Sequence, residues 1–160
     1  MIAQKTESAA ALSPSDRLIV ALDVETERAA RQAVSELDGL VTGFKVGLQL
    51  FTAAGPGFVK DLAAAGKRVF LDLKFHDIPN TVARAGVEAA KLGVWMFNVH
   101  ASGGGEMMKA VRAEVESFCA GRGNRRPIIT AVTVLTSSDF DTLNEIGVLP
   151  DVNEQVSRLA

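Results

Sequence analysis

The sequence predicts an α/β fold, the opening part of a (β/α)8 barrel, and three observations carry that expectation. Apolar, β-branched runs alternate with alanine-rich amphipathic segments from Arg17 onward. The strand-like runs recur about every 25–30 residues, the spacing of repeated βα units around a parallel sheet. Polar and charged residues stand at the ends of successive runs: Asp23 after the first, Lys45 in the second, Asp72 and Lys74 in the third, Thr133 and Thr136 at the fifth. Functional groups spread over several strand ends mark a barrel's active face, whereas an open doubly wound sheet gathers them at one switch point. A whole barrel needs about 200–250 residues. Five runs and part of a fifth helix occupy residues 17–160, so about the first five βα units are expected here, without the C-terminal third.

Taken in order, residues 1–16 (MIAQKTESAAALSPSD) lack the apolar h-region of a signal peptide and read as a disordered tail. Residues 17–160 form a single domain in this reading. Strand one is Leu18–Leu22; Thr26 then caps a helix that turns Ala30, Ala33, Val34 and Leu37 to one face and ends near Gly39. Strand two is Val41–Val46. A helix follows Pro56, carries Val59, Leu62 and Ala63, and stops at Gly66. Strand three is Val69–Phe75, with a third helix opening at Pro79, a residue suited to a first turn, and closing at Gly93. Strand four is Val94–Val99 and its helix spans about Gly105–Cys119, with Met107 and Met108 packed on the sheet. The run Gly121–Pro127, GRGNRRP, reads as a solvated turn before strand five, Ile128–Val134, and a fifth helix begins after Ser137 or Ser138. Strands one and five are expected to be open edges, with interior residues such as Leu22 and Val132 meeting water.

Composition narrows the function. A net charge of -2, with 48% hydrophobic and 22% charged residues, gives no basis for nucleic acid or an anionic membrane as partner. Cys119, the single cysteine, forms no internal disulfide and reads as a semi-buried thiol near a helix end. No apolar run approaches the roughly 18 residues of a membrane span. A cytoplasmic setting is expected.

The stretch VFLDLKFHDIPNT, residues 69–81, holds the chemistry. Asp72 and Lys74 are two apart on a strand and project to one face, which in a barrel is the interior. Lys45 on the neighbouring strand reaches the same layer, so Lys45, Asp72, Lys74 and Asp77 form an alternating cluster with Asp23 at its rim. A salt-bridge network that merely sets strand register is the plainer reading. Clusters of ionised groups at strand ends favour a site. A lysine between carboxylates stays protonated and placed for donation to a carbanion, and a carboxylate there can destabilise an anionic leaving group. The same carboxylates suit Mg²⁺. Charge alone leaves these options open.

LDLKFHDIPNT resembles the active-site motif of the orotidine 5'-phosphate decarboxylase family. ALDV, FKVGLQLF, NVHASGG and AVTVLTS resemble the motifs of its bacterial members on strands one, two, four and five. The resemblance runs from Arg17 to Ala160. It implies a (β/α)8-barrel homodimer that converts orotidine 5'-monophosphate to UMP in pyrimidine biosynthesis without metal or cofactor. It implies Lys74 as proton donor to C6 of the pyrimidine, and Asp72 against the substrate carboxylate, orienting Lys74. Lys45 would contact the ribose and Asp72, and Asp23 the ribose hydroxyls. Asp77 and Thr81, flanking Ile78 in the substrate-binding motif, would reach the ribose from the neighbouring subunit, and Thr136 would meet the pyrimidine edge. The family's phosphate grip follows strands seven and eight, so a non-catalytic barrel piece is one alternative reading. A metal-dependent sugar-phosphate decarboxylase or aldolase on the same barrel is another, which the IPNT after Asp77 disfavours.

Weaker features have plainer readings. His76 is expected to face solvent or support the site, and His100, a lone histidine ending strand four, makes a poor metal ligand. Ser102–Gly105 reads as a flexible strand-to-helix turn rather than a phosphate cradle. Trp95 is expected to pack.

Overall fold

A computed structural model of the chain describes residues 14–148 and 151–160. The expected tail lies outside the described residues as far as position 13; Pro14–Arg17 form a 3-10 turn. Asp16 there accepts a hydrogen bond from the Thr42 hydroxyl at 3.1 Å, which ties the turn to the foot of the sheet.

Five strands follow: β1 (Ile19–Ala21), β2 (Gly43–Gly47), β3 (Arg68–Phe75), β4 (Met96–His100) and β5 (Ile128–Val132). All pair in parallel, in the order β1-β2-β3-β4-β5. Parallel neighbours need crossovers, and right-handed crossovers that advance one strand at a time put every helix on the same side of the sheet. That winding is a barrel's; a doubly wound sheet reverses direction. The chain is an α/β fold with five strands of a (β/α)8 barrel.

The helices are α1 (Glu27–Glu36), α2 (Leu48–Ala64), α3 (Pro79–Lys91), α4 (Gly104–Ala120), α5 (Phe140–Glu145) and α6 (Val152–Leu159). Thr26 caps α1 as expected, accepting from the Ala29 N–H at 3.2 Å. Pro79 sits in the first turn of α3. The helix after β2 starts earlier than expected, at Leu48, because two helical segments meet at Gly55, whose φ of +74° interrupts them just before Pro56. The Gly-Pro pair marks that restart rather than the first turn. α6, with Asp151 accepting from the Glu154 N–H at 2.8 Å, was not anticipated.

The core lies between sheet and helices. Phe44, Val46, Val69, Leu71, Phe97 and Val99 point to the helix layer and are at most 1% exposed. They pack against α-helical residues including Val59, Val82, Met107 and Val111. Leu22 belongs to this layer and is 1% exposed, so the expectation that it meets water is corrected: its parity directs it to the helices. Val132 is half-buried. Cys119 is buried at the end of α4, deeper than the semi-buried thiol expected. Trp95 packs beneath the Arg68 guanidinium, 4.6 Å from its ring centroid. Among the described residues no helix is long and apolar enough to cross a membrane.

Candidate active site

Strand alternation delivers a second set of side chains to the opposite face. The register pairs Ala21 with Lys45, Lys45 with Phe70 and Gly47 with Asp72, so the charged residues fall in adjacent layers near the carboxyl ends. Lys45 Nζ stands 3.1 Å from Asp23 Oδ1 and 3.4 Å from Asp72 Oδ2. Lys74 Nζ donates to Asp72 Oδ1 at 2.7 Å. The result is a chain of alternating charge, Asp23–Lys45–Asp72–Lys74, across three strands. It borders a cleft of about 240 Å³ whose walls also include Leu22, Val24 and Gln49. The Asp72 side chain is 13% exposed, Lys45 22%, Lys74 35% and Asp23 69%, so the Asp72 carboxylate lies deepest and Asp23 stands at the rim.

The strand carrying Asp72 and Lys74 is irregular. Leu71 pairs with Phe97 and Phe75 with Val99, so β3 spends four residues where β4 spends two. Lys74 lies inside that bulge with φ of +52°, a left-handed conformation that costs a non-glycine residue on the order of 1–2 kcal/mol. Such departures cluster where a side chain must be re-aimed. The displaced Lys74 N–H finds its partner in Asn98 Oδ1 at 2.8 Å, while Asn98 Nδ2 donates to Asp72 Oδ1 at 2.7 Å. Asn98, on β4 and 3% exposed, was missed in the sequence. The signal was available: an asparagine between Phe97 and Val99 in a buried strand needs partners for both ends of its amide.

Burial by itself raises the carboxyl pKa of Asp72. Hydrogen bonds from Lys74 and Asn98, with the charges of Lys74 and Lys45, outweigh it and hold the group below the usual aspartate range. Asp72 is therefore ionised at neutral pH. His100 is driven the other way from charge: burial first, then the neighbouring His76 and Lys74, lower its pKa and favour the neutral ring. The two imidazoles lie 5.3 Å apart, centroid to centroid, with His76 exposed as expected.

Not every expected residue joins the cluster. Asp77 is exposed and its Oδ1 accepts from the Ile78 N–H at 2.6 Å, at the start of α3; among the described residues it pairs with neither Lys45 nor Lys74. The cluster read from charge spacing is corrected accordingly: within this chain Asp77 stands outside it, while Asp23 stays at its rim beside Lys45, as expected. Ile78 (66% exposed) and Thr81 flank it on the same open rim. Thr136 lies in the turn after β5, exposed. Among the described residues no three His, Cys, Asp or Glu side chains are grouped to hold a metal ion, and the Lys45 ammonium occupies the space between Asp23 and Asp72.

A singly wound parallel sheet with ionised groups at neighbouring strand ends defines a barrel-type α/β protein with its site at the carboxyl face. The comparisons narrow that class. A family model described as orotidine 5'-phosphate decarboxylase / HUMPS family matches residues 16–160, and the chain belongs to this family. It is 52% identical, over 90% of its length, to an orotidine 5'-phosphate decarboxylase of Syntrophotalea carbinolica, and 51% identical to that of Idiomarina loihiensis. These matches cover 59% and 60% of the two relatives, so the chain spans about three-fifths of their length. Among solved structures, the orotidine 5'-phosphate decarboxylase of Lactobacillus acidophilus superposes with a TM-score of 0.80 at 41% identity, over 89% of this chain and 64% of that one. An uncharacterized conserved protein from Geobacillus kaustophilus gives 0.82 at 38%, over 89% and 66%.

Proposed function

We propose that the chain carries the catalytic centre of an orotidine 5'-monophosphate decarboxylase of pyrimidine biosynthesis, working in the cytoplasm. The observation that carries this reading is the ionised Asp72 held between Lys45 and Lys74 beside an open cleft. The substrate's carboxylate would lie near Asp72, where like charge disfavours the ground state. The bond from C6 to the carboxylate carbon breaks, carbon dioxide leaves, and the electron pair stays on C6. Lys74 Nζ then delivers its proton to C6, giving UMP, and recovers a proton from solvent. The sum is substrate plus one proton to UMP plus carbon dioxide, with no redox change and no cofactor. Lys45 and Asp23 would hold the ribose, and Thr136 the pyrimidine edge.

Asp77, Ile78 and Thr81 fit a different place in the same scheme. They are exposed on one rim, outside the Lys45–Asp72–Lys74 cluster, which supports a homodimer in which each subunit lends them to its partner's ribose site.

The test is conversion of orotidine 5'-monophosphate to UMP, followed by absorbance in the protein that bears this chain, with and without a chelator. Turnover indifferent to the chelator is expected. Lys74→Ala should lower it by at least about 10²–10⁴-fold, the usual worth of a placed general acid. A Lys74→Ala protein retaining more than about a tenth of the parent rate would remove that lysine from the proton-donor role.

A further inference from the structure

Three donors converge on the Asp72 carboxylate, and they differ in kind. Lys45 and Lys74 are charges on long flexible stems, 22% and 35% exposed. Asn98 is neutral, short and 3% exposed. Its amide also touches both halves of the β3 bulge: Nδ2 donates to Asp72 Oδ1 at 2.7 Å and Oδ1 accepts from the Lys74 N–H at 2.8 Å. We infer that Asn98 is a positioning residue for the site, a side-chain clamp that fixes the direction of the Asp72 carboxylate and the left-handed turn at Lys74 together.

The chemistry of the clamp admits few substitutes. A primary amide offers a donor and an acceptor at fixed separation in one plane. Aspartate would keep an acceptor for the Lys74 N–H but set a second carboxylate against Asp72. Leucine, of similar size, would leave a backbone donor at φ +52° without its partner. Serine can donate and accept, but its single oxygen cannot stand at both positions that Oδ1 and Nδ2 occupy. With Asn98 in place, Asp72 Oδ1 is committed to Asn98 and Lys74, which leaves Oδ2 directed at Lys45, 3.4 Å away.

The consequence for turnover rests on the decarboxylase reading. When Lys74 swings from Asp72 to protonate C6, the carboxylate loses one of its two closest donors. Asn98 does not move with the proton and keeps Asp72 aimed for the returning ammonium. Asn98 is absent from the cleft wall, so its loss should fall on kcat with KM little changed.

The experiment separates the clamp from that reading. In the chain labelled with ¹³C-aspartate and ¹⁵N-asparagine, the Asn98 side-chain proton that faces Asp72 should shift with the Asp72 carboxyl titration. In Asn98→Ala and Asn98→Ser the Asp72 midpoint should rise toward the ordinary aspartate value, and the Lys74 amide should exchange faster. In the decarboxylation assay, kcat should fall between about ten- and a hundredfold, the scale of a small misplacement of reacting groups. Variants that unfold cooperatively with the Asp72 midpoint unmoved would show Asn98 to be a packing residue only. So would an Asn98 proton indifferent to that titration in the unsubstituted chain, a result that needs no variant to fold. A parent without turnover would count against the decarboxylase reading, while both resonance measurements would still decide the clamp.

Discussion

Gly86 offers the sharpest test of how the helix layer holds the site. It lies in the middle of α3, buried where that helix packs on α4. A Cβ built there would meet Val111 Cγ2 at 2.5 Å, Val115 Cγ2 at 3.1 Å and Phe97 Cζ at 3.2 Å. Carbon atoms rest about 3.5–4.0 Å apart, so the first contact alone demands a separation of roughly 1 Å. None of the three neighbours can swing into solvent, since each is at most 1% exposed. Overpacking of this kind costs about 1–3 kcal/mol, here toward the upper end. Replacing a mid-helix glycine with alanine returns about 1 kcal/mol. Gly86→Ala should therefore destabilise by about 2 kcal/mol, a fall of roughly 4–8 °C in unfolding midpoint for a chain of 160 residues. Gly57, on the exposed side of α2 with no atom within 4 Å of its added Cβ, is the control. Gly57→Ala should raise stability by about 0.4–1 kcal/mol. Thermal unfolding followed by circular dichroism reads both. Should Gly86→Ala melt at or above the parent temperature while Gly57→Ala behaves as described, the close packing of α3 on α4 is wrong. The position of Ile78–Thr81, which α3 carries at its start, would then be in question too.

Two further outcomes follow from the charged cluster. Because the folded Asp72 pKa is depressed, its ion pairs stabilise the fold fully above the ordinary aspartate value of about 3.9, and that contribution is lost as pH falls through the lower folded value. Asp38 and Asp139 are depressed as well, so the measurement is a difference: the stability gap between the parent and Asp72→Asn should shrink on acidification below pH ~4, and a gap constant with pH would contradict the ionised cluster. For the shared site, Lys74→Ala and Asp77→Ala proteins mixed under subunit exchange should regain part of the lost turnover, since half the sites in each hybrid dimer carry neither defect. No recovery, with exchange verified by mass, would return Asp77 to its own subunit.

The strands were legible because their signal is local: β-branched runs at βα spacing place all five strands to within about two residues of the observed ends. Helix starts with a cap or a proline were equally plain, as at Thr26 and Pro79. The misread start of α2 has a physical cause. Gly55-Pro56 is a strong breaker, and the turns Leu48–Ala54 before it lack a side-chain cap, so the chain advertises the interruption and not the beginning. Leu22 was misplaced for another reason: one step along a strand changes the face, and a three-residue strand offers too little alternation to set the phase.

At the site, spacing alone carried Asp72 and Lys74 to a common face and brought Lys45 beside them, because two-residue periodicity and adjacent parallel strands leave little freedom. Asp77 was drawn into the charged cluster by charge alternation alone, beyond the end of the strand, where two-residue periodicity no longer applies. The strand stops at Phe75, as read, and Asp77 Oδ1 accepts from the Ile78 N–H just before α3. What periodicity could not show is the bulge. A left-handed lysine is improbable from propensity, and it is held by a hydrogen bond from another strand, 24 positions further along the chain. A strand that obeyed its local preferences would present Lys74 in regular alternation, with its N–H in the β4 ladder and nothing tying the backbone to Asp72. The bulge gives up that ladder bond and accepts a strained φ, and one buried amide then joins the acid and the lysine into a single rigid unit. Local rules fail in this sequence at the residue proposed to move a proton, where a preset geometry matters most.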